Sequence, residues 1–238
     1  MRLDGFVAKA TGLTRSQARK AIKSGDICLD GVVTKKAAIS VADNQQVTLD
    51  GRSLSLPEFQ YLMLHKPKGT VCATEDAEHP TVIDLLPDEV LANPKGELHP
   101  AGRLDRDTTG LVLISDNGHW THNVTSPRKK CRKRYRVTLA EAVSDDAVED
   151  LCRRFQQGVM LKGEDRPTLP AVLRIETPNQ ATVEISEGRY HQVKRMFAAV
   201  GNHVEELHRE RIGLITLDKT LEPGEYRELT PEEIEAFC

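Results

Sequence analysis

The chain has 238 residues, of which 39% are hydrophobic and 29% charged, and its formal net charge is -3. This length suits one sizeable core plus a small second domain, and the composition is too polar for a membrane protein, since no apolar run approaches the roughly 18 residues of a spanning helix. The acidic balance excludes a uniformly basic nucleic-acid coat, so affinity for a polyanion has to come from local patches.

The N-terminus, MRLDGFVAKATG, carries an acidic residue and no apolar core of a secretory signal. Five scattered cysteines without CxxC spacing read as reduced thiols, so a cytoplasmic location is expected. Residues 1–25 hold Arg2, Lys9, Arg15, Arg19, Lys20 and Lys23 against Asp4 alone, a local excess in an acidic chain. Leu3, Phe6, Val7 and Ala10 follow the spacing of one helical face, which Gly12 ends. Thr14 and Gln17 then form a capping box for a second helix that buries Ala18, Ala21 and Ile22 and stops at Gly25. Arg15, Arg19 and Lys23 recur every fourth residue as one exposed stripe suited to RNA phosphates; the ordinary alternative is a solvated face. Ile27 and Leu29, the Asp30-Gly31 turn, Val32 and Val33, and later Val47 and Leu49 supply short strands. GRSLSLPE (51–58) has little periodicity and reads as a connector, with the linker placed at 53–58 between a domain of residues 1–52 and one of 59–238.

The larger region opens with a strand at Tyr61 to Leu64, a Lys66-Pro67-Lys68-Gly69 turn, and a resumed strand at Val71 to Ala73. Both lysines suit a solvated turn, Lys68 especially. A short helix is predicted over Thr81 to Leu86. Gly102 to Gly110 reads as a tight polar loop leading into Leu111 to Ile114, a strand covered on both faces. Asp105 in that loop occupies the position of a catalytic carboxylate between Arg103 and Arg106; the alternative is that it only ties off the turn through its own backbone. SPRKKCRKRYR (126–136) concentrates Arg128, Lys129, Lys130, Arg132, Lys133, Arg134 and Arg136, a block that is costly unless a polyanion lies against it. Tyr135 alternates with these cations at the start of a strand continued by Val137 and Leu139. Val148, Leu151, Cys152 and Phe155 mark a packing helix from Ser144 to Gly158, and Ala171 to Glu176 pairs with Ala181 to Ser186 around Pro178-Asn179. A further helix buries Val193, Met196, Phe197 and Val200 and carries His191, Lys194 and Arg195 on a different face. Strands at Val204 to Leu207 and Ile212 to Leu217 follow, then a last helix opened by Thr230-Pro231. His119 and His122 lack further ligands, and GxxxxGK[ST], GxGxxG and HExxH do not occur, so no metal or nucleotide cofactor is expected.

Three motifs in order, Lys66-Pro67-Lys68-Gly69, GRLDRDTTGLVLISDNG (102–118) and SEGRYHQVKRM (186–196), resemble the pseudouridine synthases in their RsuA-type branch, over nearly the whole chain. The RLD opening, TRSQARKAIKSGDICLDG and VADNQQVTLDG resemble an S4 RNA-binding domain, which puts Arg15, Ser16, Arg19, Lys20 and Lys23 on its RNA-facing helix. The resemblance implies an α+β fold: a small S4-like domain plus a catalytic domain on a mixed, largely antiparallel sheet flanked by helices. It makes Asp105 the nucleophile, toward ribose C1′ or uracil C6. Tyr135 becomes the ring that stacks on the target base, and Lys194 the cation paired with Asp105. Lys replaces the commoner Arg there, keeping the charge and losing the fork. Arg103, Arg128, Lys129, Lys130, Arg132, Lys133, Arg189 and Arg195 join the expected RNA contacts. The implied activity is conversion of one uridine to pseudouridine in small-subunit (16S) ribosomal RNA, within a 30S assembly intermediate, by a monomer without cofactor, metal or membrane partner. The same chemistry on large-subunit (23S) RNA, or a non-catalytic RNA-binding assembly factor, are the competing readings.

Overall fold

A computed structural model describes residues 1–238 apart from 43, 57, 93–94 and 127–130. The backbone separates into two units, Met1–Phe59 and Gln60–Ala92 with Gly96–Cys238. In the first, α1 (Leu3–Thr11) and α2 (Arg15–Ser24) precede four short strands: β1 (Ile27–Leu29), β2 (Val32–Val33), β3 (Val47–Leu49) and β4 (Arg52–Leu54). The Thr14–Gln17 capping box forms as expected. Leu3, Val7, Ala18, Ile22, Ile27, Val41 and Val47 make the core. The strands pair antiparallel in the order β2-β1-β3-β4. Both hairpins turn on Asp-Gly: Asp30 and Gly31 have φ 52° and 79°, Asp50 and Gly51 49° and 78°. Two consecutive left-handed residues twist a two-residue turn to match its strands, which is why Gly takes the second place. The second of these turns corrects the expected connector, because residues 52–54 run back along β3 as β4.

The second unit contains β5 (Tyr61–Lys66), α3 (Asp88–Leu91), β6 (His99–Pro100), β7 (Thr109–Ser115), α4 (Gly118–Thr125), β8 (Lys133–Leu139), α5 (Asp145–Gln157), β9 (Val172–Thr177), β10 (Gln180–Ile185), α6 (Gln192–Ala199), β11 (Val204–Ile212), β12 (Ile215–Thr216), β13 (Tyr226–Glu228) and α7 (Pro231–Glu235). Its mixed sheet runs β13-β5-β7-β11-β8-β10-β9 among the described residues, with β6 beside β7 and β12 beside β11. All pairings are antiparallel except β7 with β11. Side chains of the central strands alternate between two cores. Leu62, Leu64, Val112 and Ile114 join Phe155 and Phe197 on one face, while Met63, Leu111 and Leu113 join Trp120 and Phe237 on the other. Helices therefore cover both faces, and β7 is the doubly buried strand that its apolar run predicts.

Three expectations are corrected. Residues 81–86 form a turn, because Thr81 Oγ1 accepts from Ile83 and Asp84 N–H while the Asp84 carboxylate accepts from Thr81 N–H, closing the backbone on itself. Instead of a strand over 71–73, Val71 makes one isolated bridge, to Thr81. The strand expected over 204–207 continues to Ile212 as β11, with two register shifts against β8, and Gly213 then turns the chain, so that the strand expected over 212–217 is reduced to the two residues of β12. No helix among the described residues is long and apolar enough to cross a membrane.

Candidate active site

The polar loop before β7 forms part of a cleft of about 610 Å³, also lined by Tyr135 and Lys133 of β8, Arg209 of β11, and the turn from Ser186 to His191. Buried cations hold this loop from beneath. Lys66 is fully buried, and its ammonium donates to the carbonyls of Pro67, Arg106 and Thr108 at 3.0, 3.2 and 2.7 Å. Burial pushes its pKa down, so this is the opposite of the solvated lysine expected from the turn; Lys68 is exposed as expected. Arg209, 3% exposed, donates from Nε to Leu111 O at 2.8 Å and from Nη1 to Arg103 O at 3.3 Å. Its Nη2 and Thr108 Oγ1 are buried with no hydrogen-bond partner among the described residues. Gly110 lets β7 lie this close to β11, since a Cβ there would stand 2.3 Å from Arg209 O at a φ of +107°. A carbonyl bonded to a buried cation has little freedom, so Asp105 projects from a braced turn, which Thr108 N–H closes onto Asp105 O at 3.0 Å.

The Asp105 carboxylate is 27% exposed and meets two side chains from the start of α6: His191 Nε2 at 3.3 Å and Lys194 Nζ at 3.4 Å. Lys194 is closer to Asp107, at 2.6 Å, and this hydrogen bond holds the Asp107 carboxyl below its ordinary pKa. The ammonium thus bridges two carboxylates, as its point-like charge permits. The arginines adjacent in sequence do not supply the pairing that their positions suggest. Arg106 turns to His79, and Arg103 is an exposed cation on the cleft wall. His191, not among the expected site residues, is the partner that sequence reasoning missed. It has φ 46° and ψ 37°, a left-handed conformation costing roughly 1–2 kcal/mol for a residue with a Cβ. Its signal was its place beside Lys194 in the SEGRYHQVKRM motif, and only the tertiary fold shows that it reaches Asp105.

Other expected contacts divide by what they touch. Tyr135 is buried in the main core yet lines the cleft. Lys133 lines it too, with its pKa lowered by burial. Arg195 is tied to Glu164 at 3.0 Å and to the carbonyls of Lys162 and Tyr190. Arg189 bonds Glu187, Glu164 and the carbonyls of Arg166 and Pro167. Both guanidiniums therefore brace the turn rather than stand ready for phosphate. The basic block is also partly offset from within: Arg132 pairs with Glu184 at 3.9 Å, and Arg134 and Arg136 pair with Glu210, so its strand portion needs no polyanion to be tolerated. Arg128, Lys129 and Lys130 lie outside the described residues. In the N-terminal unit, Arg15, Ser16, Arg19, Lys20 and Lys23 are all exposed on α2. Arg15 and Arg19 also clamp the buried Asp4, at 3.3 and 2.8 Å. Hydrogen bonds from Arg2, then Arg19, hold that carboxyl far below the usual range.

Residues 60–199 match the RNA pseudouridylate synthase family, and residues 1–47 match the S4 domain. The chain is 52% identical to a protein of Vibrio parahaemolyticus, covering 99% of both, and 53% identical to one of Escherichia coli K12, covering 98% of both. Each bears the name ribosomal small subunit pseudouridine synthase A. A solved structure described as a pseudouridylate synthase superposes with a TM-score of 0.69 at 45% identity, each chain covering the other completely. A braced aspartate facing a basic helix end inside a family-matched sheet, together with these full-length relatives, leads to one conclusion: the chain belongs to the RNA pseudouridylate synthase family and carries an S4 domain at its N-terminal end.

Proposed function

We propose that this protein converts a uridine of small-subunit (16S) ribosomal RNA to pseudouridine, with Asp105 as nucleophile. The N1–C1′ bond breaks, the uracil turns, C5 bonds to C1′, the C5 proton leaves and N1 gains one; composition is unchanged and no electron is exchanged. The reaction therefore calls for positioning and a carboxylate, not an outside reactant. The observation that carries the reading is the Asp105 carboxylate, fixed on a cation-braced turn in the same cleft as Tyr135 and within 3.4 Å of Lys194. Attack at ribose C1′ or at uracil C6 both need that carboxylate aimed into the cleft. Lys194 orients it and balances its charge, and Tyr135 offers a ring to a base taken out of its stack. Residues 1–52 supply affinity through the exposed cations of α2, and residues 59–238 supply the chemistry. The choice of small-subunit RNA is supported by the names of the full-length relatives, and a cytoplasmic monomer acting on a 30S assembly intermediate is the corresponding setting.

The test is pseudouridine mapping of 16S and 23S RNA from a deletion strain, complemented by wild type, Asp105→Asn or Lys194→Met. Wild type should restore one 16S site, Asp105→Asn none although it still folds and binds RNA, and Lys194→Met only part. A restored 23S site would redirect the substrate assignment. A stable Asp105→Asn protein that modifies at the wild-type rate would refute the mechanism, and RNA binding without modification by wild type would make this an assembly factor.

A further inference from the structure

The turn that brings His191 to Asp105 also displays an aromatic ring to solvent. Tyr190 is 73% exposed, the most open aromatic side chain in the structure among the described residues. Its ring stacks on His191 with centroids 3.8 Å apart and planes 18° from parallel, and both residues line the cleft. One ring face is therefore covered while the residue as a whole stays open to water. Its hydroxyl makes no hydrogen bond among the described residues, so the phenol is not held for a polar contact within the fold. Its backbone is held: Tyr190 O accepts from Arg195 Nη1 at 3.1 Å, and Arg189 ties the preceding residue to Glu164, Glu187 and two carbonyls. The next residue is the left-handed His191, a strained conformation that persists because its surroundings impose it. The fold therefore holds an aromatic ring in the open on a fixed backbone, at the rim of the cleft that contains Asp105.

We propose that Tyr190, backed by His191, is a stacking platform for the nucleobase next to the target uridine, in a single-stranded segment of the RNA. This rests on the assignment of the cleft to a uridine at Asp105, and it concerns a base other than the one that Tyr135 receives. A base laid on the open face of Tyr190 would continue the base–Tyr190–His191 column to the edge of Asp105, while the exposed Arg103 on the same cleft offers charge to the neighbouring phosphate. Every base has a π-face, so the platform supplies grip and register without reading sequence. Arg189 and Arg195 thus act on RNA indirectly, by holding this turn.

The probe is unmodified, transcribed 16S ribosomal RNA, with Kd measured on the full-length protein at elevated salt so that phosphate contacts do not mask the ring. Tyr190→Ala should raise Kd about tenfold, equivalent to about 1.4 kcal/mol. Tyr190→Leu, which keeps bulk without a π-face, should match Ala, and Tyr190→Phe should restore wild-type affinity. Repeating the series in an Asp105→Asn background reads binding without turnover, so failure of the catalytic assignment leaves this result legible. An unchanged Kd in a folded Tyr190→Ala protein overturns the proposal. So does a Phe variant as weak as Ala, which would assign the contact to the hydroxyl, or a loss confined to turnover at saturating RNA, which would assign the pair to alignment of Asp105.

Discussion

Replacing Lys66 by Met tests whether Asp105, the proposed nucleophile, depends on the cation beneath its loop. Methionine has similar length and suits the buried site, so the chief loss is one ammonium and its three hydrogen bonds, to Thr108 O at 2.7 Å, Pro67 O at 3.0 Å and Arg106 O at 3.2 Å. A buried acceptor left without a donor costs about 1–3 kcal/mol. Burying the ammonium was itself costly, as its lowered pKa shows, and removing it returns part of that cost. Among the described residues Thr108 O alone is left without a donor, because Arg106 O keeps Gly69 N–H at 2.8 Å and Pro67 O keeps the Thr70 hydroxyl at 3.2 Å. A net loss of about 2 kcal/mol follows, which at roughly 2–4 °C per kcal/mol lowers Tm by about 4–8 °C. The released carbonyls belong to the turn that presents Asp105, and a displacement of about 1 Å there is worth on the order of a hundredfold in rate. Calorimetry and single-turnover modification of 16S RNA, assayed well below the variant's Tm, separate the two effects. Lys66 is not exposed, so RNA affinity should change little. A Lys66→Met protein with Tm within about 2 °C of wild type and an unaltered single-turnover rate would refute the bracing argument.

Tyr135 is both core and cleft wall, so alanine would confuse packing with recognition; Tyr135→Leu should lower kcat/KM by the roughly 1–3 kcal/mol of a lost base stack while Tyr135→Phe stays close to wild type. Equal activity of all three would return this ring to the core alone. Neutralising Lys20 and Lys23 together, as Lys20→Gln and Lys23→Gln, should reduce the slope of log affinity against log salt by about 1.4, at about 0.7 for each lost single-strand phosphate contact; an unchanged slope would remove α2 from the RNA-binding surface. Asp4 sets an acid limit on the N-terminal unit. Its folded carboxyl titrates below the unfolded value near 3.9, so the stability it contributes is complete above about pH 4 and drains away as pH falls through the folded value. Asp4→Asn should therefore melt earlier at neutral pH and lose less on acidification, as read by circular dichroism; parallel acid profiles would contradict this.

Elements with strong period or explicit punctuation were legible before any coordinates. The capping box of α2, the α5 stripe through Leu151 and Phe155, and the apolar run of β7 each declare themselves through local chemistry. Helix α4 did not, because GHWTHNVT has no apolar stripe; it is started by the Asn117 side chain accepting from His119 and Trp120 N–H and anchored by burial of Trp120. Strand β4 is hard to read because its hairpin signal, a second Leu-Asp-Gly, opens a stretch with the Ser and Pro content of a connector. Within the candidate site, the motif points to Asp105 and the resemblance to Lys194, and the fold brings the two within 3.4 Å. The loop anchors are not legible, since nothing local distinguishes the buried Lys66 from the exposed Lys68 two residues on. Burial of a cation is a property of the sheet that closes over it. For the same reason the sequence does not show that Arg189 and Arg195 both pair with Glu164.

The parallel contact of β7 with β11 gives the enzyme a schedule as well as a shape. Asp107 and Lys194 lie 87 positions apart, and Leu111 and Arg209 lie 98 apart. Bringing such distant segments together pays its loop-closure entropy before the contacts repay it. A nascent chain that has emerged only as far as β10 has made Asp105 and Lys66 but neither the helix end that faces the carboxylate nor the strand that grips the loop. At about 5–20 residues per second, translation needs a further ~1–5 s to supply them. The cleft is therefore among the last features to assemble, since it waits for α6 and β11 to join a loop made much earlier in the chain.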